Sequence, residues 1–169
     1  MDAYEAILTR RSIRKYTKDA VPAETVEKLL RAAMSAPSAG NEQLWHFVVI
    51  DDRKILDEIP KFHPYSKMLH DAPLAIAILG DTSKEKHSGF WVQDCSAATQ
   101  NLLLAAHALG LGAVWLGVHP REDIAGGVRK LLDLPPEVIP LAIISIGHPG
   151  EQKAAEDRYD ASKVHKNRW

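Results

Sequence analysis

The chain has 169 residues, and its 46% apolar content suits one compact domain that spans residues 1–169 and has a hydrophobic core. Its 21 basic and 22 acidic side chains give a formal net charge of -1, which excludes a global field that would draw the protein onto nucleic acid or an anionic membrane. The single cysteine excludes a disulfide framework and a cysteine-rich metal centre, and the opening residues lack the pattern of a secretory signal, so we expect a cytoplasmic protein.

The first two predicted elements are helices. Asp2 suits the N-cap of the first helix. Pro22 suits the first turn of the second helix, which Pro37 should end. Apolar residues recur at helical spacing in both: Tyr4, Ile7 and Leu8 in the first helix, and Val26, Leu29, Leu30 and Ala33 in the second.

Three short segments predict strands: residues 45–50, 74–79 and 141–146. A proline and a glycine bound each of the last two, which are short enough to be central strands. The apolar run 102–118 predicts a buried helix followed by a buried strand, because Gly110 and the glycine two residues later interrupt it where a helix would end. The same glycines argue against a membrane span.

Residues 90–109 predict a long helix that is apolar nearly all round, so it must be covered on every side, and a partner subunit is one source of that cover. Residues 124–132 predict a surface helix. From residue 151 the chain is polar and without periodicity, yet it ends on Trp169, which suggests a docking tail. The whole pattern predicts an α+β fold with a mixed central sheet flanked by helices.

The sequence lacks the compact motifs of several chemistries. It contains no glycine-rich phosphate loop, no His-Glu-x-x-His metal motif and no serine nucleophile elbow. The eight histidines are scattered, and Cys95 lies among apolar helix residues, where a thiol is usually inert. Hydrolytic and metal-dependent functions are therefore disfavoured, and we predict no metal site.

A local cluster of cations follows the first helix. Arg10, Arg11 and Arg14 lie close enough to repel one another unless an anion sits between them, and Ser12 adds a hydroxyl donor. A phosphate fits this donor set, since arginine binds phosphate oxygens bidentately. A solvated basic helix end explains the composition equally well.

The order of the motifs separates these two interpretations. An Arg-Arg-Ser-x-Arg start (residues 10–14) is followed by Ala-Pro-Ser-Ala-Gly-Asn-x-Gln-x-Trp (36–45), Gly-Leu-Gly-Ala-Val-Trp-Leu-Gly (110–117) and Gly-His-Pro-Gly (147–150). This succession closely resembles the FMN-dependent nitroreductase family over nearly the whole chain. One departure is Leu44, which stands where proline is common in the motif.

The resemblance implies an interlocked homodimer with two FMN sites at the subunit interface and NADH or NADPH as the electron donor. It assigns Arg10, Ser12 and Arg14, with Arg11 nearby, to the FMN phosphate and ribityl chain. It assigns a second group, contributed by the other subunit, to the flavin ring: Pro37, Ser38, Ala39, Asn41 and Gln43. The amides of Leu116 and Gly117 should lie near the flavin N5 and O4 atoms.

The resemblance also implies a further phosphate ligand in the tail, about residues 151–169, which should dock on the partner. Arg158 is the first candidate, and the alternatives are Lys153, Lys163, Lys166 and Arg168. The shortness of the chain leaves only residues 60–71 and 84–89 as lids. Five aromatic side chains are candidate contacts for a planar substrate, although core packing suits Phe90 and Trp91 better: Phe62, His63, Tyr65, Phe90 and Trp91.

The implied activity is reduction of nitroaromatics, quinones or related acceptors by NAD(P)H in a ping-pong flavin mechanism, in which the flavin and no catalytic side chain carries the chemistry. Two alternatives stay open: a non-catalytic flavin- or nucleotide-binding module, and a specialised flavin-dependent reductase or dehydrogenase on the same fold. A nucleic-acid-binding role for residues 10–15 is disfavoured by the neutral charge and the lack of interleaved aromatic residues. The sequence does not select between NADH and NADPH.

Overall fold

The computed structural model describes residues 1–169 and contains five α-helices and four strands. The helices are α1 (Ala3–Thr9), α2 (Ala23–Met34), α3 (Arg53–Glu58), α4 (Trp91–Ala108) and α5 (Glu122–Leu131). The strands are β1 (Trp45–Ile50), β2 (Leu74–Asp81), β3 (Gly112–Gly117) and β4 (Val138–Gly147).

The ends of the first two helices follow from local capping. The Asp2 carboxylate accepts the Glu5 N–H at 2.8 Å, which confirms the predicted N-cap of α1. Pro22 is itself the N-cap of α2 rather than a first-turn residue. The helix ends at Met34 instead of running to Pro37, because its C-cap residue already leaves helical geometry (ψ 3°).

The sheet has the order β1-β2-β4-β3, and all three strand pairs are antiparallel. The predicted mixed sheet is therefore wrong in strand direction, and parallel pairing is limited to one bridge between Ser12 and Ala113. The two runs bounded by proline and glycine, β2 and β4, are the central strands, as predicted. The strand β3 lies at an edge of the sheet.

Side chains of the central strands alternate between two hydrophobic layers. Ile76 and Ile78 face a layer that α2 and α4 complete, whereas Ala75, Ala77 and Leu79 face a layer that α3 and α5 complete. The sheet is thus covered by helices on both faces. This arrangement is the predicted α+β architecture.

Two parts of the chain remain uncovered within one subunit. The predicted apolar face of α1 is exposed, with Tyr4 72%, Ile7 54% and Leu8 50% accessible. The tail from residue 152 to the end is almost wholly exposed, and Trp169 stacks only on His165 at 4.5 Å between ring centroids. No helix combines the length and apolar character that a membrane crossing requires.

Candidate functional site

The arginine-rich segment after α1 runs along the free edge of β3. The Ile13 N–H donates to the Ala113 carbonyl at 3.0 Å, next to the bridge between Ser12 and Ala113. The Ile13 side chain lies so close to Gly112 that a Cβ there would come within 2.6 Å of it. Glycine at position 112 therefore allows the segment to dock, and the docking fixes where the arginines emerge.

Arg10 lies in this segment with its charge uncompensated. Its half-buried guanidinium forms no hydrogen bond or ion pair with a protein group. Burial lowers the pKa of Arg10, and the nearby charges of Arg158 and Arg11 lower it further. Three guanidiniums thus converge without a carboxylate on Arg10, which is an environment that favours a bound anion.

Arg11 holds the tail instead of facing open solvent. Its guanidinium donates to the carbonyls of Leu8 at 3.0 Å, Arg10 at 2.7 Å and Ala154 at 2.9 Å. These contacts join the end of α1 to the C-terminal segment. They leave Arg11 fewer donors for a ligand than Arg10 has.

Ser12 and Arg14 keep their side chains free of protein partners. The backbone carbonyl of Ser12 accepts from Lys153 Nζ at 2.7 Å, and the backbone N–H of Arg14 donates to Glu151 Oε1 at 2.7 Å. Lys153 is also 3.4 Å from that carboxylate. The tail thereby fixes the backbone of the segment, and the serine hydroxyl and the Arg14 guanidinium remain available.

A groove of about 810 Å³ separates α1 from the tail. Arg10, Arg11 and Arg158 line it, together with apolar residues of α1 and the acidic residues Glu156 and Asp157. Arg158 pairs with Glu156 at 3.2 Å, but both side chains are about two-thirds exposed, so the pair is weak and exchangeable. Among the candidate tail cations, Lys163 pairs instead with Asp160, and neither Lys166 nor Arg168 lines the groove.

The second predicted group of site residues forms a rigid loop between α2 and β1. The Ala39 N–H donates to the buried carboxylate of Asp94 at 3.0 Å, and the Gln43 N–H donates to Ser38 Oγ at 3.1 Å. Asn41 and Gln43 adopt left-handed backbone conformations, with φ of 56° and 51°. Their side chains are exposed, as is Pro37, so the loop presents them to solvent.

Leu44 ends this loop with its side chain in the core, 4% exposed. Its carbonyl accepts the Asp81 N–H at 2.9 Å. The leucine that replaces the usual proline therefore anchors the loop by burial.

The loop and the arginine segment lie at opposite ends of α4 in one subunit. Asp94, in the first turn of α4, holds the loop, whereas His107, in the last turn, hydrogen-bonds Thr9 at 2.8 Å. The helical rise puts about 20 Å between these two positions. One subunit therefore does not bring the two predicted groups together.

Leu116 and Gly117, the last two residues of β3, direct their backbone N–H and carbonyl groups to opposite sides of the strand. The Val118 N–H donates to the Leu141 carbonyl, toward β4, and strand alternation turns Leu116 the same way. Gly117 therefore directs its N–H and carbonyl to the free edge. Nothing lies within 4 Å of a Cβ built on Gly117, so the face of the sheet is open there.

His63 contacts this edge, a role that the sequence analysis did not predict. Its ring is buried, and Nε2 lies 3.0 Å from the Gly117 carbonyl. The expectation that His63 stacks on a substrate is therefore wrong, because burial leaves no free ring face. An isolated histidine carries no motif, so only the tertiary structure could reveal this contact.

The remaining aromatic candidates divide by exposure. Trp91 is buried, as predicted, and Phe62 packs against Gly127, where a Cβ would come within 2.5 Å of its ring. Phe90 is 46% exposed, so its predicted place in the core is wrong, and Tyr65 is 71% exposed. Tyr65 and Phe90 are the two that present aromatic surface to solvent.

Comparison with known proteins matches the nitroreductase family model at residues 7–63 and 60–148. A curated protein of Methanothermobacter thermautotrophicus, named "Putative NADH dehydrogenase/NAD(P)H nitroreductase", is 53% identical, with 100% of this chain and 88% of that protein covered. The solved structure of an FMN-dependent nitroreductase from Clostridium difficile is 35% identical with a TM-score of 0.91, and the match covers 98% of this chain and 99% of that one. A solved "putative nitroreductase in complex with fmn" from Desulfovibrio desulfuricans is 34% identical with a TM-score of 0.87, and the match covers 100% and 98%.

Proposed function

The chain belongs to the nitroreductase family, and on that premise we propose that it is an FMN-dependent oxidoreductase that takes electrons from NADH or NADPH. We further propose that it passes them to nitroaromatics, quinones or related acceptors. The observation that carries the proposal is the Arg10 guanidinium, which has no carboxylate partner and lies beside Arg11 and Arg158 in the groove between α1 and the tail. Its test is whether the purified protein holds a flavin that NAD(P)H reduces.

The residues present fit both ends of FMN. Arg10, Arg158 and the free hydroxyl of Ser12 supply charge-assisted donors for a phosphate dianion. Gly117 supplies a backbone N–H at an open, side-chain-free position for the ring edge. The bridge at Ala113 sets the phosphate end about 13 Å from Gly117 along the strand, since a strand rises about 3.3 Å per residue.

Bound FMN supplies the hydride and electron chemistry, so the protein needs to bind, orient and electrostatically tune it rather than provide a catalytic triad. Arg14 has an exposed guanidinium that can place positive charge beside the ring's N1 and O2 atoms. Cys95 takes no part, because burial raises the pKa of its thiol to about 12. Tyr65 and Phe90 offer stacking surfaces for a planar acceptor.

The site is completed by a second copy of the chain. In keeping with the family resemblance and with the separation of about 20 Å along α4, we assign Pro37, Ser38 and Asn41 to the flavin whose phosphate the other subunit binds. The exposed apolar face of α1 supports such an interface, since large exposed apolar patches mark association sites. A homodimer of this kind holds two equivalent sites.

An anaerobic absorbance spectrum before and after addition of NADH or NADPH tests the proposal. Flavin bands that bleach establish the cofactor and the reductive step together. Flavin bands that persist with both donors indicate a binding module without turnover, and a colourless protein that takes up no added FMN contradicts the cofactor assignment. Parallel initial-rate lines with a quinone or a nitroaromatic support the ping-pong order, whereas intersecting lines contradict it.

A further inference from the structure

The imidazole of His63 is held in one tautomer by two backbone groups. The Tyr65 N–H donates to Nδ1 at 3.3 Å, which leaves the ring proton on Nε2. Nε2–H then donates to the Gly117 carbonyl at 3.0 Å. The ring is 2% exposed, and burial lowers the pKa of His63, so the neutral form that makes both bonds is favoured.

Gly117 lacks other restraints on this side of the strand. It is the last residue of β3, it is exposed, and its backbone groups face the edge that no strand covers. Its carbonyl has no protein partner other than His63. The Val118 N–H holds the far side of the same peptide group through Leu141, and glycine keeps wide freedom at the joint to the preceding peptide group, so the His63 contact is the restraint on the edge side.

We propose that His63 is a positioning residue that holds the Gly117 peptide in the orientation needed at the flavin ring. The inference rests on the proposed function, because it assigns Gly117 to the ring edge. In extended strand geometry the carbonyl and the N–H of one residue point to the same side of the strand, so a bond that holds the Gly117 carbonyl at the edge favours the conformation in which its N–H also points there. His63 acts through Gly117 and makes no contact with the ring, and its contribution is the pre-ordering of a donor that no side chain orients.

The test compares His63→Leu with His63→Gln in the flavin-loaded dimer. Leucine fills similar volume without a donor, whereas the glutamine amide can reach the Gly117 carbonyl. Anaerobic stopped-flow bleaching by NADH or NADPH should slow about twofold to tenfold in His63→Leu, which corresponds to the loss of one hydrogen bond. His63→Gln should restore the rate to within about twofold, and the FMN dissociation constant should change little in either variant because the phosphate is bound elsewhere.

A rate in His63→Leu equal to that of the unmodified protein overturns the proposal, and so does a loss in His63→Gln as large as in His63→Leu. Failure of the proposed function is distinguishable, because the unmodified protein would then hold no reducible flavin. If His63→Leu does not fold, the ¹⁵N spectrum of the unmodified protein decides: a protonated Nε2 supports the contact, and a protonated Nδ1 overturns it.

Discussion

Arg10 is the residue whose surroundings point most directly to a ligand. Burial lowers its pKa, two other guanidiniums lower it further, and no carboxylate neutralises it. Without a bound anion, the repulsion among these guanidiniums lowers the stability of the folded protein. A bound phosphate offsets this loss, because each charge-assisted hydrogen bond contributes more than a neutral one. Arg11 is the next residue in the sequence, but its guanidinium already donates hydrogen bonds to backbone carbonyls.

Replacement of Arg10 by alanine should weaken FMN binding by about 1.5–3 kcal/mol, the usual scale for a hydrogen bond to a charged group. Fluorescence titration of the flavin-free protein measures the change. Arg31→Ala is the matched control, since Arg31 is exposed on α2 and pairs only with Glu27. Unchanged affinity in Arg10→Ala would refute the phosphate assignment.

The buried, neutral His63 predicts a pH dependence of folding. Burial lowers its pKa in the folded state and outweighs the hydrogen bond to the Gly117 carbonyl, which raises it. The unfolded chain therefore binds the proton more tightly, so the contribution of His63 to stability is present above pH about 6.5 and is lost as the pH falls below it.

Urea unfolding of the unmodified protein and of His63→Gln between pH 8 and 5 isolates this effect, because the other titrating groups cancel in the difference. The free energy of unfolding should fall more steeply toward acid in the unmodified protein. Parallel curves for the two proteins would show that His63 does not titrate differently on folding.

Most elements of the fold follow from local patterns. The strand β1 begins and ends where its β-branched and aromatic content predicts, and the predicted long helix differs from α4 by one residue at each end. The helix α3 was missed because six residues are too few to show helical periodicity, although its N-cap Asp52 is a recognisable signal. The predicted strand direction was wrong, because an apolar run does not indicate whether the neighbouring strand is parallel or antiparallel.

The loop of residues 37–43 depends on α4 through the carboxylate of Asp94. This carboxylate is buried without a cationic partner, but it lies in the first turn of α4, where the helix dipole favours a negative charge. Asp94→Ala removes the acceptor of the Ala39 N–H and should destabilise the protein by about 1–3 kcal/mol. It should also increase hydrogen exchange at Ala39.

Asp94→Asn serves as the control for that substitution. It keeps an oxygen acceptor of the same shape, so the Ala39 amide should stay protected in this variant. Equal protection of the amide in Asp94→Ala would mean that the loop holds its shape without α4.

At the scale of the whole molecule, the site residues were predictable only through the order of four motifs. The amino-acid composition alone does not show whether the arginine cluster is an anion-binding site or a solvated helix end. The structure adds what no motif contains: within one chain, the two groups of site residues lie near opposite ends of α4. The contact made by His63 was not predictable from the sequence, because its partner is a backbone carbonyl 54 residues away.

Mixed dimers test the two-subunit site directly. Asn41→Ala alone should weaken FMN binding, because in the proposed dimer each Asn41 faces the flavin whose phosphate the other subunit's Arg10 holds. A dimer of one Arg10→Ala subunit and one Asn41→Ala subunit then contains one site with both defects and one intact site.

Flavin titration of this mixed dimer should show one site of unmodified affinity and one severely weakened site. If Arg10 and Asn41 instead served the same subunit's flavin, both sites would carry one defect each and no site of full affinity would appear. The parent homodimers are the matched controls, because every site in them carries one defect whichever arrangement holds. The count of full-affinity sites, one against none, therefore distinguishes a site shared between subunits from one built within a single chain.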